Sequence, residues 1–167
     1  MCVKRSQRDA EFAEYVAAAR PRLRRLAYGL CGDWHGADDI VQTSLAKLYV
    51  AWPKVRAAAN EDGYVRRTVV HTTIDESRRP WRRERSGLDG HDDAGRSTDI
   101  EARQDLVAAL QLLPEMQRKT VVLRHWLGLS VAETAADLGI AEGTVKSHTS
   151  RALERLHELM TPEEHLS

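Results

Sequence analysis

Apolar residues recur at helical spacing along most of this chain, and the clearest stretch lies between residues 130 and 156. Ser130 and Glu133 have the S-x-x-E spacing of a capping box, in which each side chain satisfies the other's backbone N–H. Gly139 stands where a helix ends in a left-handed residue, and a second helix starts near Glu142. The inward positions of the two helices are Val131, Ala135 and Leu138, then Val145, Thr149, Ala152, Leu153 and Leu156.

The second of these helices has a polar outward face made of Thr144, Lys146, Ser147, Ser150 and Arg151. A short helix, a glycine turn and a second helix with small and basic outward residues are typical of a helix-turn-helix. In that motif the second helix enters the DNA major groove. An ordinary helical hairpin is the alternative, but the cap, the turn and the polar face all favour the helix-turn-helix.

The N-terminal part of the chain begins with two predicted helices that carry an apolar stripe. The first is expected to be capped by Ser6 or Asp9 and to be bent or restarted by Pro21. The second covers about 36–52 and is expected to end before Pro53 because proline cannot continue the hydrogen-bond ladder. Their inward residues include Phe12, Tyr15, Leu23, Leu26, Leu30, Ile40, Val41, Leu45, Leu48 and Trp52.

A third helix, capped by Asn60, is predicted to reach about residue 79, after which the composition changes. A stretch rich in Gly, Asp and Ser without apolar periodicity is typical of a flexible linker. The sequence therefore predicts an all-α protein. Two small helical modules, at 5–82 and 99–160, are joined by a flexible acidic linker at 83–98, and the C-terminal module contains the helix-turn-helix.

The formal net charge is zero, but the charges are segregated along the chain. Between residues 64 and 85 there are seven arginines against three acidic residues, whereas residues 86–115 hold seven acidic residues against two arginines. A basic block can bind a polyanion locally even in a neutral protein. Net charge therefore does not exclude a nucleic-acid partner.

Several function classes find no support in the sequence. Cys2 and Cys31 are too few for a disulfide framework, and the seven histidines lack metal-ligand spacing. Asp38 and Asp39 are neighbours on a helix and point about 100° apart, so they do not converge on one ion. We expect neither an enzyme nor a cofactor. No stretch is apolar enough to enter a membrane and no signal-peptide core is evident, so a cytoplasmic, nucleoid-associated protein is expected.

Three stretches, in this order, resemble the extracytoplasmic-function (ECF) type of the sigma-70 family of RNA polymerase sigma factors, with greatest similarity to the actinobacterial SigE-like subgroup. GADDIVQTSLAKLYVAW resembles the helix that binds core polymerase, and GYVRRTVVHTTIDESRRPWRRE resembles the segment that reads and melts the −10 element. The stretch from LPEMQRKTVV to SRALERL resembles the module that reads the −35 element. The resemblance implies a sigma factor that directs promoter-specific initiation.

At the −35 element the resemblance implies contacts from Thr144, Lys146, Ser147, Ser150 and Arg151, with Arg118 and Lys119 near phosphates. Lysine and arginine can donate to guanine acceptors in the major groove. A solvated helix face is the alternative for Lys146 and Arg151. The family often has Ser where this chain has Ala141, so the recognition helix lacks a cap and is expected to become firm on DNA.

The resemblance also implies a set of residues that bind DNA at the −10 element and help to melt it. They are Arg66, Arg67, His71, Arg78, Arg79, Trp81, Arg82 and Arg83. Cations follow the phosphates of an opened strand while planar side chains stack on its bases. The family often has Asn where this chain has His71, and a histidine cannot present the paired donor and acceptor of an amide. Trp81 is equally well interpreted as a lid that packs on the last helix of the N-terminal module.

The resemblance also implies that Asp39, Ile40, Gln42 and Leu45 bind core RNA polymerase. A face that mixes apolar residues with an acid and an amide suits docking onto a coiled coil. A place in the module's own core is the alternative for Ile40 and is favoured for Leu45. The implied partners are promoter DNA and core polymerase, at its β′ clamp and β flap, and an anti-sigma factor is a candidate partner.

Two other functions remain open at the level of sequence. A free-standing helix-turn-helix regulator would act as a dimer on palindromic sites and would need no polymerase. A helical interaction protein, such as a polymerase inhibitor that no longer binds promoters, would need no base-reading residues. The arginine-rich segment between residues 65 and 85 is hard to explain under the first of these alternatives.

Overall fold

A computed structural model describes residues 2–78 and 98–162 of the chain. Throughout these ranges the regular structure is helical and no strand occurs, which confirms the predicted all-α fold. The predicted linker, apart from its last residue at 98, lies outside the described residues. The helices are α1 (Cys2–Cys31), α2 (Trp34–Val50), α3 (Trp52–Ala57), α4 (Glu61–Ser77), α5 (Thr98–Gln111), α6 (Glu115–Val121), a π-helical turn (Val122–Trp126), α7 (Val131–Leu138) and α8 (Glu142–Met160).

Helix α1 differs from its predicted course at both of the points where the sequence suggested a boundary. It begins at Cys2, so Ser6 and Asp9 lie inside the helix and neither caps it. The carboxylate of Asp9 instead accepts a hydrogen bond from the Tyr49 hydroxyl at 2.6 Å. Pro21 also lies inside the continuous helix, where packing against α2 and α4 holds together a segment that proline alone would weaken.

The second predicted helix, at about 36–52, corresponds to α2, and a separate short helix, α3, follows it. Asp33, which the sequence analysis missed, caps α2 by accepting a hydrogen bond from the Gly36 N–H at 3.0 Å. Helix α2 ends at Val50, and Pro53 lies in the first turn of α3, where its missing N–H has no cost. The expectation that Pro53 would end the helix was therefore wrong: it helps to start the next one.

Helix α4 agrees closely with the helix predicted from the sequence. Asn60 caps it by accepting a hydrogen bond from the Gly63 N–H at 2.9 Å, as predicted. Thr72 and Thr73 are buried, and their hydroxyls donate to the carbonyls four residues earlier at 2.7 and 2.8 Å. Because each hydroxyl is satisfied on its own helix, both threonines can lie among apolar side chains at little cost.

The two predicted modules share one hydrophobic core. A single cluster of buried residues includes Leu26 and Leu48 from the N-terminal helices together with Leu110 and Leu123 from the C-terminal ones. At Gly29 the modules approach so closely that a Cβ atom there would lie 3.3 Å from Val122 Cγ1. The two helical modules that the sequence predicts therefore pack together as one body in the structure.

Candidate nucleic-acid interface

The helix-turn-helix has the local geometry that the sequence predicts. Ser130 Oγ accepts from the Glu133 N–H at 3.1 Å, and the Glu133 carboxylate accepts from the Ser130 N–H at 2.8 Å, so the capping box is complete. The hydrogen bond from the Ser130 backbone lowers the pKa of Glu133. Gly139 closes α7 in the left-handed region at φ +66°, which a Cβ-bearing residue adopts only with strain.

Helix α8 presents the predicted polar face to solvent. Thr144, Lys146, Ser147, Ser150 and Arg151 are all exposed, while Val145, Ala152 and Leu156 are buried on the opposite side. Leu153 was predicted to face inward, but 44% of its surface is exposed. It lies one position after Ala152, and the core-facing stripe of α8 is too narrow to include both residues.

The cap of α8 gives a testable prediction for stability. Ala141 has the same extended backbone as the Ser130 cap, with φ −69° and ψ 150° against −67° and 165°, but it makes no side-chain cap bond. We expect Ala141→Ser to stabilise the fold by about 1 kcal/mol and to raise Tm by roughly 2–4 °C, as measured by thermal circular dichroism. Ser130→Ala is the mirror control and should lower Tm by a similar amount. An unchanged Tm for Ala141→Ser beside a lowered one for Ser130→Ala would contradict this account of the cap.

Arg118 and Lys119, which the resemblance places near phosphates, are engaged inside the protein. Arg118 donates to the Gln111 carbonyl at 3.3 Å, and burial lowers its pKa. Lys119 is buried and donates to the carboxylate of Glu115, and this hydrogen bond lowers the pKa of Glu115. In this conformation Lys119 is buried and Arg118 is half-buried, and their contact with DNA phosphates stays a prediction.

The residues implied at the −10 element fall into three groups. His71 and Arg78 are exposed on and just after α4. Arg66 and Arg67 belong to the same helix, but both contact Asp137 of α7. Four further residues of this set lie outside the described residues: Arg79, Trp81, Arg82 and Arg83. Among the described residues of this set, only His71 and Arg78 are exposed, and the sequence analysis did not anticipate the contact of Arg66 and Arg67 with Asp137.

The four residues that the resemblance implies in binding core polymerase differ in their exposure to solvent. Asp39 and Gln42 are exposed on α2, one turn apart, whereas Ile40 and Leu45 are buried in the core. The acid and the amide of the implied contact face therefore lie at the surface. The two apolar side chains instead stabilise the module, as the alternative interpretation held.

Asp38 and Asp39 do not form a joint site. Asp38 is held by Arg24, whose Nε lies 2.6 Å from its Oδ1, and this hydrogen bond lowers the pKa of Asp38. The Arg24 guanidinium also lies 4.3 Å from the centre of the Trp34 ring. Within the described residues, no group of three or more His, Cys, Asp or Glu side chains is arranged to hold a metal ion.

Comparison with known proteins identifies the family. Residues 15–83 match the family model for Sigma-70 region 2, and residues 103–156 match that for Sigma-70, region 4. The RNA polymerase sigma-E factor of Streptomyces coelicolor is 39% identical over 158 residues, which cover 89% of this chain and 85% of that protein. The chain belongs to the sigma-70 family of RNA polymerase sigma factors. The resemblance that the sequence motifs indicated is thereby confirmed.

Two further relatives place this sigma factor among the ECF type. The ECF RNA polymerase sigma factor SigM of Mycobacterium tuberculosis is 34% identical over 140 residues, covering 83% of this chain and 71% of that one. The sigma factor RpoE of Bartonella quintana, solved in complex with the anti-sigma factor NepR, aligns with a TM-score of 0.75 at 27% identity. That alignment covers 92% of this chain and 98% of RpoE. Among the described helices of this sigma factor, none is long and apolar enough to cross a membrane.

Proposed function

We propose that this sigma factor joins core RNA polymerase and directs it to promoters, and that it catalyses no reaction itself. In this proposal the module at 5–82 docks on the polymerase, reads the −10 element and helps to open it. The module at 99–160 reads the −35 element. The observation that carries the proposal is the order of two sigma-70 regions along one chain, with an exposed, polar recognition helix in the second.

The exposed face of α8 suits reading of duplex DNA. Lys146 and Arg151 carry long cationic side chains that can donate to guanine O6 and N7. Ser147 and Ser150 lie on the same face and are short enough to approach base edges or phosphates. Thr144 is in the first turn of α8, where a hydroxyl and free backbone N–H groups favour a phosphate.

Helix α4 suits capture of an opened strand. Arg66, Arg67 and Arg78 supply cations along or just after the helix, and the half-buried Tyr64 supplies a ring. Opening a few base pairs costs several kcal/mol, and stacking offsets about 1–3 kcal/mol per captured base. We expect the polymerase to supply the remainder, through the β′ clamp against Asp39 and Gln42 on α2 and through the β flap against the C-terminal module.

Control by an anti-sigma factor is part of the proposal. RpoE of Bartonella quintana, which aligns with almost the whole of this chain, is held in a complex with the anti-sigma factor NepR. A sigma factor with the same two regions presents comparable helical surfaces, so a partner protein of that class is a reasonable candidate here. We propose that the sigma factor itself acts in the cytoplasm at the nucleoid, where polymerase and promoter are both found.

The decisive experiment is run-off transcription with purified core polymerase. Transcript starts mapped after overexpression supply the candidate promoters, and a template with a scrambled −10 element supplies the control. We expect initiation at these promoters only when the sigma factor is added. Absence of promoter-dependent initiation, together with a stable dimer that does not bind core polymerase, would instead support a free-standing regulator.

A further inference from the structure

One carboxylate lies on the face of α4 that is proposed to contact the −10 strand. Asp75 is exposed on this helix, one turn after the exposed His71 and one turn before the exposed Arg78. Positions three or four apart on a helix lie on the same face, so the three side chains form a row. The sequence analysis assigned no role to Asp75, which it counted only among the acidic residues of the arginine-rich segment.

A lysine of the neighbouring helix holds this carboxylate in place. The Nζ of Lys47, on α2, lies 3.2 Å from Thr72 Oγ1 and 3.6 Å from Asp75 Oδ2. Thr72 is buried, and its hydroxyl donates to the Thr68 carbonyl at 2.7 Å. The hydroxyl that receives the lysine is therefore fixed itself, and the lysine orients Asp75 from one side.

The ion pair of Lys47 and Asp75 leaves both groups open to solvent. The Asp75 side chain is 64% exposed and that of Lys47 is 47% exposed. An ion pair this exposed contributes little to stability, because water screens the attraction. On a surface that binds a polyanion, an acidic side chain also repels the phosphates. A carboxylate at this position therefore weakens binding of the strand unless it accepts a hydrogen bond from one of the bases.

Guanine is the base whose edge matches a carboxylate. An ionised carboxylate only accepts hydrogen bonds, and its two oxygens can take two parallel donors. Guanine carries the N1–H and the N2 amine side by side on its Watson–Crick edge, whereas each other base has one donor group there. In a duplex this edge is paired with cytosine, so it becomes accessible only when the strands separate. A carboxylate that reads it therefore favours the opened strand over the duplex.

We propose that Asp75 reads one guanine of the opened −10 strand. Its two oxygens accept hydrogen bonds from the N1–H and the N2 amine of that base, while Lys47 positions the carboxylate and offsets its repulsion of the DNA backbone. Arg78, one turn further on, supplies a cation for a neighbouring phosphate. The inference rests on the proposed function, because it takes α4 to bind the opened strand, and it adds a specificity residue and the base that this residue selects.

The test compares guanine with inosine, the base that lacks only the N2 amine. Fluorescence anisotropy measures binding of the holoenzyme to labelled single strands from a mapped promoter, in which each −10 position carries guanine or inosine in turn. We expect one position at which guanine binds about five- to tenfold more tightly than inosine. Asp75→Ala should abolish this ratio. The same variant should bind more tightly to a strand with an abasic site at that position, because there it only removes repulsion.

Two further variants separate the role of Asp75 from a general effect of charge. Asp105→Ala removes an exposed acid of the other module and should leave the guanine-to-inosine ratio unchanged. Lys47→Met should lower the ratio, and an unchanged ratio would overturn the positioning role of Lys47.

The outcomes distinguish this inference from the function on which it rests. Strands that bind without a preference for guanine at any position, or a preference that survives in Asp75→Ala, would overturn the role of Asp75 and leave the proposed function standing. A holoenzyme that binds none of the strands would overturn both. Because Asp75 is exposed, its truncation creates no cavity, and circular dichroism should show an unchanged fold.

Discussion

Replacing Lys146 and Arg151 together by alanine is expected to remove recognition of the −35 element while leaving the fold intact. Both side chains are exposed on α8, so their truncation creates no cavity. Each good contact to a base is worth about 1–3 kcal/mol, so each single variant should weaken binding by roughly 5- to 150-fold. The double variant should lose the upstream footprint of the polymerase complex and most initiation at promoters that depend on it.

The matched control for this experiment is Arg155→Ala on the same helix. Arg155 lies one turn beyond Arg151, toward the end that leaves the groove, and its guanidinium is 3.0 Å from the Glu158 carboxylate. Footprinting and a salt titration should show a clear loss for the double variant and little change for Arg155→Ala. An unchanged upstream footprint in the double variant would show that Lys146 and Arg151 do not recognise the −35 element. It would favour the alternative, in which they lie on a solvated helix face.

The features that the sequence predicted correctly depend on neighbouring residues. The capping box of Ser130 and Glu133, the left-handed Gly139 and the Asn60 cap each involve residues no more than four positions apart. Such contacts are set by local geometry, so their spacing alone identifies them. The polar face of α8 was predictable for the same reason, since helical periodicity orders it.

The features that the sequence analysis missed depend on distant residues or on competing partners. Nothing local marks Asp137 as the partner of Arg66, because the two are brought together only by the packing of α7 against α4. The contacts of Arg118 with Gln111 and of Lys119 with Glu115 were also not anticipated. For Lys119 a signal was present, since Glu115 precedes it by four residues, the favourable order for a helical ion pair.

The structural roles predicted for Pro21 and Pro53 differ from those observed because proline has two opposite effects. In the first turn of a helix proline is favourable, as at Pro53, whereas in the interior it removes a hydrogen bond, as at Pro21. The sequence analysis treated Pro53 as an end and expected Pro21 to bend or restart its helix. Tertiary packing compensates for the weak point at Pro21, and that packing cannot be read from the residues around it.

Leu123→Ala should destabilise the folded chain as a whole, including its N-terminal helices. Leu123 is fully buried in the π-helical turn, within a core to which both modules contribute. Loss of its side chain should cost about 2–5 kcal/mol, a large share of the 5–15 kcal/mol that is typical of a folded domain. Leu48→Ala in α2 should cost a similar amount and shift the same unfolding transition, since one core unfolds as one unit.

Leu112→Ala is the control for both core variants, because this leucine is 66% exposed and its loss should change the free energy of unfolding by less than about 0.5 kcal/mol. Urea unfolding followed by circular dichroism, and by tryptophan fluorescence in parallel, measures all three variants. Two separate transitions, of which Leu123→Ala shifts one and Leu48→Ala the other, would contradict a shared core. A single transition that both core variants shift would show that the module proposed to read the −10 element and the module proposed to read the −35 element unfold together.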